Sequence, residues 1–219
     1  MTRAICPPAV GDWYHDLAGG LRKRPLQERS RAMIQSVLQA ATELVIEVGY
    51  EAVVVSPTLL LDRSGVSRGS FYAFFESPER VLDELAYQGV RQSTTSLAQA
   101  FRTMPGHHWT EIIDVLIELY TAEHRIPLIR ELWVCQNLTQ RARELDQLAI
   151  NDMAVLMLAE FRSYGPVFET LTEVHCRVSL HAVERLFQYA FLNRSDGDPP
   201  ILGEARRMLV DYFASYLRE

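Results

Sequence analysis

Cysteine is scarce: Cys6, Cys135 and Cys176 are the only three, and an odd count with no paired spacing excludes a disulfide framework. A redox pair of Cys135 with Cys176 stays open beside the plainer reading of two reduced, core-filling thiols. No apolar run approaches the roughly 20 residues of a membrane span. The first twenty residues, MTRAICPPAVGDWYHDLAGG, carry neither a continuous apolar core nor a secretory cleavage pattern, so a cytoplasmic protein with no membrane partner is expected. Strand-like alternation and fixed-period repeats are missing. The one β-branched cluster, Val53-Val54-Val55, is too short for a strand of its own and is expected to link two helices while packing on both. Signs of chemistry are equally sparse. No strained nucleophile turn of the Gly-x-Ser-x-Gly kind is expected, and there is no phosphate loop or dinucleotide fingerprint. His107-His108 falls in a Pro-Gly turn, and His175, Cys176 and His181 lack the spacing that puts three ligands on one helical face. No catalytic residue, metal or cofactor is therefore assigned, and the chain does not read as an enzyme.

What is present parses as helices. The 219 residues, 48% of them hydrophobic, suffice for a small head of about 60 residues and a larger domain of ordinary size. Pro57, Pro78, Pro105, Pro127, Pro166, Pro199 and Pro200 stand where helices begin or linkers break. Met33, Val37, Leu38, Ala41, Leu44 and Val45 recur at helical spacing and predict a first long helix over Gln27 to Val48, stopped by Gly49. Another runs from Pro78 toward Met104. Further helices are expected near Trp109 to Glu123, Pro127 to Cys135, Asn137 to Arg162, Pro166 to Phe191 and Pro199 to Leu217. The fold class is all-α.

The richest stretch is Ser56 to Phe75, SPTLLLDRSGVSRGSFYAFF. Ser56 before Pro57 is a helix start, its hydroxyl placed to accept an orphan N–H. Leu59, Leu60 and Leu61 supply the apolar face, Gly65 supplies a left-handed stop, and Val66 plugs a small core beneath the turn. Ser67 caps a second helix on which Phe71 and Phe75 share one face, with Phe74 beside them, while Arg68 and Tyr72 share another. The chemistry of that second face suits DNA. Arg68 can donate bidentately to a guanine edge, Ser70 can reach bases or phosphate, Gly69 permits close backbone approach and Tyr72 can offer its hydroxyl to a phosphate. The helix start itself favours an anion. Upstream, Arg22, Lys23 and Arg24 read either as a DNA-directed arm or as a solvated leader. Charge is nearly balanced: the chain is −6 overall, and from Arg22 to Glu76 seven basic residues face six acidic ones. Affinity for DNA would have to come from local placement and two half-sites on one dimer.

Over about Gln27 to Leu85, the capped helix, Gly-Val-Ser turn, aromatic spacing and following helix start resemble the TetR family of dimeric transcriptional repressors. Three positions depart from the family pattern: Leu61 in place of a small residue, Pro78 in place of a lysine, and Phe74 in place of a tyrosine or histidine. The resemblance implies a three-helix helix-turn-helix head and a C-terminal helical domain for ligand binding and dimerisation. Residues 1–25 would form a leader and basic arm, 26–76 the head, and 77–219 the effector and dimerisation domain. It further implies a homodimer on a pseudo-palindromic operator, released or engaged by a small-molecule effector. A tilt of the helix that begins at Pro78 would carry the signal.

Pocket material is expected between Met104 and Tyr164, at Trp109, Tyr120, His124, Trp133, Gln136, Asn137 and Phe161. His124 with Arg125 reads either as a partner for an acidic ligand or as a solvated helix end. The last two helices form the expected dimer surface through Val178, Ala182, Arg185, Tyr189, Met208 and Tyr212. One apolar stripe there is Val167, Leu171, Val174, Val178 and Ala182; a second is Leu180, Val183, Phe187 and Phe191. The competing reading is a helical small-molecule-binding or interaction protein of the same fold that binds no operator.

Overall fold

The computed structural model describes residues 19–217; the leader up to residue 18, with Cys6, Trp13 and Tyr14, lies outside them. The described elements are α1 (Glu28–Val48), α2 (Tyr50–Val55), α3 (Pro57–Ser64), α4 (Arg68–Tyr72), α5 (Pro78–Thr103) and α6 (Thr110–His124). They continue with α7 (Pro127–Ile129), which runs into a π-helical turn (Arg130–Val134), then α8 (Gln140–Ser163), α9 (Glu173–Phe191) and α10 (Pro199–Ala214). Among the described residues there is no strand, only an isolated antiparallel bridge between Leu21 and Phe75. None of these helices is long and apolar enough to cross a membrane.

The chain groups into two compact units. One comprises residues 19–90 with 127–145, the other 91–126 with 146–217. In the first, Ile34, Val37, Leu38, Ala41, Leu44 and Val45 of α1 close over Val53, Leu60, Phe71, Phe75, Val81 and Leu82. Val66 packs at the edge of this core, as its place in the turn predicts. Two expectations hold only in part, for one geometric reason: consecutive residues on a helix point about 100° apart. Val53-Val54-Val55 does connect α1 to α3 and packs on their core through Val53 and Val54, but as a helical turn, so that Val55 is 74% exposed. Of the three leucines in α3 only Leu60 is buried, and Leu59 faces solvent.

Asp83 is fully buried on α5, paired with Arg80 at 2.7 Å and taking a hydrogen bond from Thr139 Oγ1. The same Thr139 oxygen accepts the Ala142 N–H at 2.9 Å. That cap starts α8 at Gln140 rather than at Asn137. The helix expected over Pro127 to Cys135 divides into α7 and the π-helical turn.

In the second unit Phe161, Phe168 and Phe213 cluster as tilted rings, with centroids 5.0 and 4.3 Å from Phe161. The helix expected from Pro166 is broken. Gly165 sits at φ 108°, a single 3-10 turn covers Pro166–Phe168, and the Thr172 N–H donates to His175 Nδ1 at 3.0 Å to open α9 at Glu173. Val167 and Leu171 therefore do not continue the stripe of Val174 and Val178. Arg206 pairs with Asp114 at 2.6 Å, linking α10 to α6.

Candidate nucleic-acid interface and effector region

Gly65 takes the left-handed conformation, φ 66°, and its N–H closes α3 onto the Leu61 carbonyl. Ser56 holds the N-cap position of α3, yet its hydroxyl makes no capping bond; its carbonyl accepts the Leu59 N–H instead, at 3.1 Å. Ser67 behaves as its sequence position predicts, accepting the Ser70 N–H at 3.3 Å and donating to Ser70 Oγ at 2.9 Å. Gly65 to Gly69 also spells the Gly-x-Ser-x-Gly letters of a hydrolase elbow. That elbow needs a strand before the serine and a strained turn, whereas Ser67 follows a helix, has ordinary extended backbone and spends its oxygen on the cap.

Ser67, Arg68, Gly69 and Ser70 are all exposed, and a Cβ built on Gly69 would meet open space. Phe71 and Phe75 form the buried floor beneath them, with ring centroids 5.7 Å apart, and Tyr72 packs edge-on to Phe71 at 5.1 Å. The basic run adjoins the far end of α4. The Arg22 N–H donates to the Phe74 carbonyl at 2.8 Å, the Arg22 guanidinium donates to the Tyr72 carbonyl at 3.3 Å, and Lys23 Nζ stands 4.9 Å from the centre of the Phe74 ring. Phe74, the departure from the family pattern, is the platform for that lysine. Sequence reasoning missed what anchors this arm: Gly19 and Gly20 are buried, and the Gly20 N–H donates to Glu84 Oε2 at 3.1 Å. The paired glycines were the available signal. Elsewhere on the head, Arg63 binds Glu43 and Glu47 at 3.2 and 2.6 Å, so part of its acidic charge is locally matched.

The expected pocket residues fall in both units. Trp133, Gln136 and Asn137 belong to the unit that carries the head, where the Gln136 side chain donates to the Trp133 carbonyl at 2.6 Å. Trp109, Tyr120, His124 and Phe161 belong to the other. There Trp109 lies 6.2 Å from Phe161 between ring centres, and Tyr120 stacks on His124 at 5.8 Å. His124 is not a solvated helix end: it is 5% exposed, and burial pulls its imidazole down to about 4. It is neutral at physiological pH and gives no charge to an acidic ligand. Cys176 is buried, which pushes its thiol up to about 12, while Cys135 is exposed in the other unit. The expected dimer residues Val178, Arg185, Tyr189 and Met208 are exposed, whereas Ala182 and Tyr212 are half-buried.

Glu123, on α6, is pushed up to about 7 by burial, against the opposing hydrogen bond from Ser93 at 2.9 Å. Because the folded value is raised above 4.5, its contribution to stability is fully present below pH 4.5 and is lost as pH rises through about 7. Glu123→Gln is accordingly expected to stabilise the protein by about 2 kcal/mol at pH 8 and by almost nothing at pH 4.5. Urea unfolding at both pH values measures this; equal gains at the two would remove the ionisation from the explanation.

The arrangement defines a class of protein: an all-helical chain with a helix-turn-helix near its N-terminus and a helical C-terminal portion. No protein-family model matches the chain, and no curated protein matches it. Solved structures do. A TetR-family transcriptional regulator from Streptomyces coelicolor aligns with a TM-score of 0.59 and 23% identity, over 84% of this chain and 99% of that one. A structure from Syntrophomonas wolfei described as a TetR-family transcriptional regulator reaches 0.62 at 16% identity, over 84% and 94%. The fatty acid degradation regulator FadR from Bacillus halodurans gives 0.59 at 15%, over 89% and 97%. The fold of this chain is that of the TetR-family transcriptional regulators.

Proposed function

We propose that the protein is a ligand-responsive homodimeric transcriptional regulator, most simply a repressor, that binds a pseudo-palindromic operator in double-stranded DNA. The observation that carries this reading is the exposed face of α4, seated on the Phe71–Phe75 floor with a basic arm strapped to its end. Arg68, Ser70 and Tyr72 would enter the major groove, Gly69 would allow close approach, and Ser56 and Ser67 would meet the backbone. Arg22, Lys23 and Arg24 would extend the contact along the phosphates. Residues 26–76 act as the reading head and 77–219 as the effector and dimerisation portion. Val174, Val178, Arg185 and Tyr189 form an exposed row on α9, continued by Leu192 just past its end and joined by Met208 of α10. This row supports dimerisation, with Ala182 and Tyr212 at its margin. A small-molecule effector would bind among Trp109, Tyr120, His124 and Phe161, and α5 would convey the change to the head.

The test is a fluorescence-anisotropy titration against DNA flanking the gene, at two salt concentrations, with a random duplex as control. Tight, sequence-selective binding at two chains per site is the expected result. Equal, weak binding to both duplexes would favour a helical small-molecule-binding protein of this fold that does not act on an operator. Arg68→Ala is expected to lower operator affinity by about 1–3 kcal/mol per half-site and to relax selectivity at one base pair. Unchanged sequence preference in that variant would remove Arg68 from base readout.

A further inference from the structure

The second unit holds a buried acceptor with nothing to accept from. His124 is 5% exposed, and its Nδ1 lies 2.8 Å from the Tyr120 carbonyl oxygen one turn back on α6. A carbonyl oxygen only accepts, so Nδ1 carries the proton. In the neutral ring this leaves Nε2 as a bare lone pair, and Nε2 is buried without a hydrogen-bond partner. Phe187 and Phe191 of α9 lie 5.3 and 5.4 Å from the imidazole between ring centres.

The same face of α9 carries Glu184, Phe187, Gln188 and Phe191, at the i, i+3, i+4, i+7 spacing that shares one side of a helix. Glu184 accepts from Gln188 Nε2 at 3.3 Å and takes part in no salt bridge among the described residues. The neighbouring Arg185 is exposed and donates to Gln188 Oε1 at 2.8 Å. Glu184, Glu123 and Asp146 all raise the Tyr120 phenol by their negative charge, in addition to its burial. Burial, then Asp146, pushes the Glu184 carboxyl up to about 7, against the opposing charge of Arg185. This corner of the unit is aromatic and lined with carboxyls, and it leaves His124 Nε2 without a donor.

We propose that the face shared by α6 and α9 binds an organic ammonium ion with an apolar body, its N–H donated to His124 Nε2 and its charge set against Glu184. Tyr120, Phe187 and Phe191 supply ring faces that attract a cation. A neutral imidazole acceptor beside carboxylates rejects a carboxylate ligand, which would bring only further lone pairs and charge. A metal ion fits less well, since no group of three or more His, Cys, Asp or Glu side chains among the described residues is placed to hold one. This inference names the effector class and rests on the reading of the protein as ligand-responsive.

Three probes of one shape test it by calorimetric titration of the full chain: 2-phenylethylammonium, its N,N,N-trimethyl derivative and 3-phenylpropionate. Saturable binding of the ammonium is expected, with the trimethyl form about tenfold weaker for want of an N–H and the carboxylate weakest. Glu184→Gln is expected to weaken both cations about tenfold. His124→Phe should abolish the preference between them. Equal or tighter binding of 3-phenylpropionate, no saturation by the ammonium, or cation affinity unchanged in Glu184→Gln would each overturn the proposal. If His124→Phe does not fold, the Glu184→Gln comparison decides. Operator titration on the same preparation separates the two readings: operator binding without ammonium binding overturns only this inference, and ammonium binding without operator binding overturns only the regulator reading.

Discussion

Replacing Phe71 by alanine is expected to destabilise the head by about 3–5 kcal/mol, the range for truncating a large buried aromatic. The ring is fully buried and packs on Phe75 and Tyr72. Its N–H donates to the Ser67 carbonyl at 3.0 Å, and its own carbonyl accepts from Phe74 and Phe75 at 3.0 and 2.9 Å. With five residues, α4 has too few internal bonds to hold itself in water, so its conformation depends on that floor. Operator binding should be lost with stability, as measured by urea unfolding at 25 °C alongside the anisotropy titration. Arg68→Ala is the counterpart, since Arg68 is exposed: DNA binding should fall while the unfolding midpoint holds. A Phe71→Ala protein with a midpoint near that of the parent would show that the floor does not support α4.

Gly20→Ala is expected to detach the basic arm. A Cβ at Gly20 would land on the carbonyl oxygen of Arg80, which is backbone within α5 and has no way to swing aside. The segment would have to lift, breaking the Gly20 bond to Glu84 and the Arg22 bond to the Phe74 carbonyl. Glu84, 4% exposed, would lose a donor that favours its ionised form. A stability loss of about 1–3 kcal/mol follows for a buried acceptor left short of a partner. The functional consequence is larger. Each phosphate neutralised contributes about 0.9 to the slope of log affinity against log salt, so freeing Arg22, Lys23 and Arg24 should flatten that slope by up to about 3 per subunit. Anisotropy between 50 and 200 mM salt, about the range over which phosphate contacts are usually resolved, reads it directly. A slope equal to that of the parent would mean that the arm touches no phosphate.

Much of the head was legible because its signals are local. Gly65, Ser67 and the Phe71–Phe75 pair act through backbone freedom, a cap three residues long and the helical repeat, none of which needs a distant neighbour. The limits of α1 and α5 were equally plain from Gly49 and Pro78. Failures occurred where a local signal met a competing partner. Thr139 went to cap α8 and to bind Asp83, which moved the helix start, and Thr172 with His175 opened α9 inside a stretch that reads as one continuous helix. Ser56 had the right type and position for a cap, and its hydroxyl still makes no such bond.

The sequence by itself determined an all-helical chain, a turn that only glycine closes without strain, and the residue types set along α4. These follow from backbone sterics and side-chain periodicity, which act within a few residues. Only the tertiary structure decided that Arg22 and Lys23 stand beside α4, that Glu84 holds the arm and that His124 is buried with one nitrogen unanswered. Those facts depend on pairings 4 to 67 residues apart, Tyr120 to His124 and His124 to Phe191 being the extremes. Burial and hydrogen-bond satisfaction are properties of the packed whole and leave no mark on the order of residues.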